Sequence, residues 1–146
     1  MTEVKGNEVL LKRTPYEIYN MFSDLRNFAA AIPPDKVGDV QADHDSMTFK
    51  VQGFELGLEI AEKAPYSLIS FKERGSSPFP FKFTIHLYPV GLDATLFYVE
   101  LSAQLNTFMK MVIGDKLQEM VDKMTEQLEQ AINSGITPTF EPESFI

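Results

Sequence analysis

Two periodicities divide the chain. Over much of its middle, apolar and polar residues alternate with period two. In "SMTFKVQ", Met47, Phe49 and Val51 alternate with Thr48, Lys50 and Gln52. In "FELGLEIAE", Phe54, Leu56, Leu58 and Ile60 alternate with Glu55, Gly57, Glu59 and Ala61. "SLISFKER" places Ile69 and Phe71 on one face. "FKFTIHLY" does so for Phe81, Phe83, Ile85 and Leu87, and "TLFYVELSAQL" for Phe97, Val99, Leu101 and Ala103. "GDVQAD" adds a further strand before them. Such alternation predicts an antiparallel sheet with one wet face. "DHDS" and "VGLD" are short enough for hairpin turns, and "GSSPFP" is a looser link whose prolines cannot sit inside a central strand.

After Asn106 the period changes. Ile113, Leu117, Met120, Met124, Leu128 and Ile132 recur at steps of three and four, up to a stop at Ser134–Gly135. "TFMKMVIGDKLQEMVDKMTEQLEQAI" is thus a helical segment of roughly 26 residues, about 39 Å long. Gly114 weakens it locally and splits it into an entry turn around Met109 and a long body from Asp115, which predicts a bend or a 3₁₀ start there. Met109, Ile113, Met120 and Met124 are expected to face the sheet.

The beginning is mixed. Glu3 to Lys12 reads as one strand, with Val9 and Leu11 on one face. Thr14, Pro15 and Glu17 form a capping box with proline at the first helical position, predicting a helix over Pro15 to Phe22. Ser23 or Asp24 caps a second short helix, "LRNFAAAI", which Pro33–Pro34 ends. The fold class is therefore α+β. A curved antiparallel sheet of about seven strands wraps around a long C-terminal helix, with two short helices after the first strand. Residues 1–134 are expected to form a single domain, and 135–146 an extended C-terminal tail.

Composition narrows the function classes. A length of 146 residues fits one domain able to bury a core without staples. There is no cysteine, hence no disulfide framework, thiolate metal site or cysteine nucleophile. A net charge of -8 with scattered Lys and Arg argues against nucleic-acid binding. No apolar run approaches the roughly 20 residues of a membrane span. The N-terminus has no cationic start followed by an apolar core, so a cytoplasmic, soluble protein is expected.

"TPYEIYNMFSDLRNFAAAIPP" and "LNTFMKMVIGDKLQEMVDKMTEQLEQAI", in this order around the strands, resemble the helix-grip proteins. This is the START-like or SRPBCC superfamily, which includes plant pathogenesis-related allergens and polyketide cyclases. The first segment is similar to the family's opening of a capped helix, a turn, a second helix and a proline stop. The second is similar to the terminal helix of small bacterial members, with an early glycine. The resemblance covers about Val4 to Asn133. It implies a mostly apolar cavity between sheet and long helix, and a hydrophobic ligand such as a lipid, quinone or polyketide. It implies no cofactor. The glycine-rich loop of the plant allergens and the paired acids of cyclases are missing.

The residues themselves offer little acid–base chemistry. His44 lies in Asp43–His44–Asp45, which reads as a solvated turn without a second His or Cys to complete a transition-metal set. His86 alternates with inward Ile85 and Leu87 and is expected to face water. Glu55 and Glu59 fall on the wet face. Asp115, Glu119, Asp122, Glu126 and Glu129 lie mostly off the apolar helix stripe. No nucleophile elbow or phosphate loop is present. The 12 Phe and 7 Met instead suit either a packed core or a cavity of variable shape.

The expected lining of such a cavity is Phe28, Phe49, Leu58, Phe71, Phe83, Ile85, Phe97, Val99, Met109, Ile113, Met120 and Met124. No metal ligand set is expected. Tyr19, Ser70 and Tyr98 are the polar candidates for orienting a ligand, although alternation puts Tyr98 outside. The leading reading is a non-enzymatic binder of a small hydrophobic molecule. The alternatives are an enzyme of the polyketide cyclase or dehydratase type, and a chaperone- or ribosome-associated interaction module using the long helix or the tail with Phe145 and Ile146. Tyr88 and Tyr98 on the wet face would serve as a patch for a homodimer.

Overall fold

A computed structural model describes residues 2–31, 38–51, 54–74 and 79–135. The elements run β1 (Thr2–Lys5), β2 (Val9–Leu11), α1 (Pro15–Phe22), α2 (Leu25–Ala31), β3 (Gly38–Ala42), β4 (Ser46–Val51), β5 (Phe54–Ala64), β6 (Leu68–Glu73), β7 (Phe81–Val90), β8 (Ala94–Ala103), α3 (Thr107–Ile113) and α4 (Lys116–Asn133). The sheet is antiparallel and curved, in the order β1-β8-β7-β6-β5-β4-β3, with β2 also on β8. The alternation sorts as expected on β7 and β8. Ile85, Leu87, Phe97 and Val99 are at most 1% exposed, whereas Lys82, Tyr88 and Glu100 face water.

The first strand is two strands. Glu3 to Lys12 breaks at Gly6–Asn7–Glu8, and both halves pair with β8. The break exists because α4 comes close at this point. A Cβ on Gly6 would lie 2.8 Å from Val121 Cγ1 and 3.1 Å from Thr125 Oγ1. The Gly6 N–H still donates to the Val99 carbonyl at 2.8 Å, so the sheet continues beneath the helix.

The opening helices follow their sequence signals. The Glu17 N–H donates to Thr14 Oγ1 at 3.2 Å, and the Thr14 hydroxyl donates to Glu17 Oε1 at 3.3 Å. Asp24 starts α2 by accepting the Arg26 N–H at 3.0 Å, and it takes the Arg26 guanidinium at 2.6 Å. The guanidinium holds the Asp24 carboxyl down at about 2. A depressed folded pKa means that the pair's contribution to stability is complete above roughly pH 4 and is lost as pH falls toward 2. An NMR titration of the Asp24 carboxyl is expected to give a midpoint of about 2, returning toward roughly 4 in Arg26→Ala. An unshifted wild-type midpoint would show that the pair does not persist in solution.

The long C-terminal helix is interrupted at Gly114–Asp115. Gly114 keeps right-handed helical torsions (φ −55, ψ −45), and Asp115 stays helical at φ −73, ψ −20. The helical face therefore carries across the step. Asn106 caps α3 by accepting the Met109 N–H at 2.8 Å. No residue of α3 is buried, whereas α4 buries Leu117, Val121, Thr125, Leu128 and Ile132. Met120 and Met124 thus flank the buried stripe instead of centring it. The centre falls on Val121 and Thr125 because these short branched side chains admit the Gly6 backbone.

One helix does not cover the whole sheet. α4 packs on β1, β2 and β8, α1 on β6 and β7, and α2 on β3 and β4. Two side-chain amides fasten α4 to the sheet edge. Asn133 accepts the Lys12 N–H at 2.8 Å and donates to the Leu10 carbonyl at 3.0 Å, making the pair of bonds a neighbouring strand would make to β2. Gln118 donates to the Lys5 carbonyl of β1 at 2.8 Å. Asn133→Ala is expected to lower stability by about 1–2 kcal/mol in urea unfolding, since two bonds of modest net value are lost. Asn133→Asp, which keeps only the acceptor, should fall between. Full stability in Asn133→Ala would show that water replaces the clasp without cost.

Candidate functional site

The inner face of the sheet has two unlike ends. At one end α1, β2 and the C-terminal half of α4 cover it. Leu11, Ile18, Leu25, Leu87 and Phe97 are 0% exposed there. Phe22 and Phe97 meet with ring centroids 6.0 Å apart. At the other end, toward α3, buried and half-buried inward side chains are mixed: Phe71, Leu101, Ala103 and Met47 are buried, and others are not. Val4, Leu101, Phe83, Phe71 and Ile60 form one row across β1, β8, β7, β6 and β5. Ala103, Phe81, Leu58 and Met47 lie in the next row outward. Of these, Val4, Leu58, Ile60, Phe81 and Phe83 pack against the core yet keep solvent contact, as do Met120 and Met124 of α4.

The expected lining residues distribute accordingly. Phe49, Phe71, Ile85, Phe97 and Val99 are buried. Leu58, Phe83, Met120 and Met124 are half-buried against the core. Met109 and Ile113 are half-buried on α3, where Phe108, Met111 and Val112 are 72%, 81% and 50% exposed. The side chain of Phe28 lies outside the described residues, as do Pro33–Pro34, Gly75 to Pro78 and the tail from Ile136.

The polar candidates fall elsewhere. Ser70 lies opposite Thr84 on the outer face and is bonded to it at 3.0 Å. Tyr19 meets Tyr66 at 5.4 Å beside α1. Tyr98 stacks on His86 at 4.5 Å and on Tyr88 at 6.1 Å on the outer face, with Lys5 Nζ 4.4 Å from its ring. The hydrogen bond to Tyr88, burial and nearby negative charge push the Tyr98 phenol up to about 12. His86 is bonded to Glu100 at 2.7 Å. His44 pairs with Asp45 at 2.9 Å in a turn built on Asp43, which accepts the Asp45 and Ser46 N–H groups.

One group on the inner face escaped the sequence reading. Alternation along β6 places Ile69, Phe71 and Glu73 on the same side, and Glu73 pairs with inward Leu58. The strand "SLISFKER" contains it, but only the apolar Ile69 and Phe71 are assigned to the inner face from sequence. A separate open cleft of about 470 Å³ lies at the closed end, lined by Lys12, Arg13, Thr14, Glu17, Asp93 and the end of α4. Four of its polar side chains already serve the fold: Thr14 caps α1, Arg13 pairs with Glu17 at 3.2 Å, and Asn133 clasps β2. The apolar face at the α3 end is the better candidate site.

This architecture is the helix-grip, START-like fold. The chain is similar to a START superfamily protein from Mycobacterium smegmatis, at 16% identity and TM-score 0.63, covering 92% of this chain and 99% of that one. It is similar to the Aha1 dimer from Colwellia psychrerythraea, at 15% identity and TM-score 0.63, covering 92% and 98%. It is similar also to the protein XoxI from Bacillus cereus, at 8% identity and TM-score 0.64, covering 90% and 96%. No family model and no curated protein matches the chain. Among the described residues no helix is long and apolar enough to cross a membrane.

Proposed function

We propose that the protein binds a small hydrophobic molecule of the lipid, quinone or polyketide kind, and carries or sequesters it against the inner face of the sheet. The observation that supports this is the half-buried end of that face. Apolar side chains that meet across a finished core are closely packed and dry. Here Leu58, Ile60, Phe83, Met120 and Met124 pack on the core and yet keep solvent contact. Such exposure costs on the order of 25 cal/mol per Å² of apolar surface. An apolar occupant removes that cost, and the two methionines adapt to its shape. Native mass spectrometry of the protein from its own source is expected to show an adduct that organic extraction removes. Protein that carries no adduct and takes up no apolar probe would sink the reading.

A second reading, association with another protein or a second copy, rests on α3. Phe108, Met111 and Val112 put three apolar side chains in water on one short helix. The solved Aha1 neighbour is a dimer. A mass by light scattering that halves in Phe108→Ser/Met111→Ser would support it, and an unchanged monomer mass in wild type would remove the homodimer.

A further inference from the structure

The half-buried apolar end contains a carboxylate. Glu73 shares the inner face with Phe71 and pairs with Leu58 across β5. The Phe81 N–H donates to Glu73 Oε2 at 2.9 Å, which ties the carboxylate to the start of β7, and Leu58 is its register partner on β5. Both of these neighbours are half-buried and apolar. The nearby cations point the other way. Lys72 and Arg74 reach Glu59 at 4.0 and 3.8 Å, and Lys82 reaches Glu62 at 3.6 Å, all on the outer face. Among the described residues no cation pairs with Glu73, and the Phe81 amide is its hydrogen-bond partner. Glu73 is itself half-buried, so water reaches its remaining acceptor positions, and a ligand that covers this face must supply a donor in place of that water.

We propose that Glu73 is the polar anchor of this half-buried face and that its ligand is an apolar molecule ending in a hydrogen-bond donor, an amine or a hydroxyl. A carboxylate-ended ligand such as a free fatty acid is disfavoured by like charge. The inference rests on the hydrophobic-binder reading and adds the head-group chemistry to it. A protonated amine binds most tightly because a charge-assisted bond is stronger than a neutral one.

Displacement of the fluorescent probe N-phenyl-1-naphthylamine from the full chain tests this. Dodecylamine is expected to displace it at a concentration at least about tenfold below dodecanoate, with dodecanol between. A net charge of -8 attracts cations everywhere, so that order is not sufficient. Glu73→Gln must collapse the preference, while Glu3→Gln, the same charge change on the outer face, must leave it. The amide oxygen introduced by Glu73→Gln still accepts the Phe81 N–H, so the fold is preserved. Equal displacement by amine and acid, or a preference unchanged in Glu73→Gln, overturns the anchor while the binder reading stands. A probe that never binds overturns both.

Discussion

Phe97→Ala is expected to lower stability by about 3–5 kcal/mol, whereas Phe83→Ala, on the neighbouring strand and the same face, should cost only about 1–2 kcal/mol. The two rings differ in what surrounds them. Phe97 is 0% exposed, sits against Phe22, and lies in the closed end of the inner face. Removing it leaves a void whose walls are held by α1, β2 and α4, and such voids collapse poorly. Phe83 meets Phe71 at 6.0 Å but is itself half-buried, so water already reaches part of it. The effects on binding should be reversed. Uptake of N-phenyl-1-naphthylamine should weaken several-fold in Phe83→Ala, while residual folded Phe97→Ala should retain it. Urea unfolding and probe titration measure the two quantities separately. Equal stability losses at both positions would mean that the face is a uniform core without a receptive end.

Gly6→Val is expected to destabilise by about 1–3 kcal/mol, because the position lacks room for a side chain. Torsion is not the reason: the positive-φ glycines among the described residues are Gly91 and Gly135. The added atoms would run into Val121 Cγ1 and Thr125 Oγ1, which are 2.8 and 3.1 Å from where a Cβ would stand. Both belong to the buried centre of α4, so they cannot swing into solvent. Either α4 lifts from β1 and β2 or the Gly6–Val99 hydrogen bond breaks. Relief should come from the helix side. Combined with Val121→Ala, the loss should be smaller than the sum of the two single changes, a coupling that a double-mutant cycle reads directly. Strict additivity would show that the contact between Gly6 and α4 is not close in solution.

Several local features could be read from residue order because their causes are local. Thr14, Pro15 and Glu17 carry the start of α1 within four residues, and period-two alternation carries the faces of β4, β7 and β8. Asn106 carries the start of α3 in the same way. The candidate site was legible only in part. The inward apolar set was visible from alternation, but which of its members are sealed and which stay half-wet depends on where the helices lie. Glu73 was on the correct side of the same alternation, but it is charged, and only apolar residues of that strand are assigned inward from sequence.

By itself the sequence determined the α+β class, the order of the elements, the faces of the strands and the interruption of the last helix at Gly114. Each follows from side-chain periodicity or backbone preference over a few residues. Only the tertiary structure decided that the first strand divides at Gly6, that Val121 and Thr125 centre the α4 stripe with Met120 and Met124 beside it, and that α1 and α2 share the cover of the sheet. An amphipathic stripe is wide enough to allow several contact lines. The line chosen is set by the closest backbone approach, which here joins residues more than a hundred positions apart in the chain.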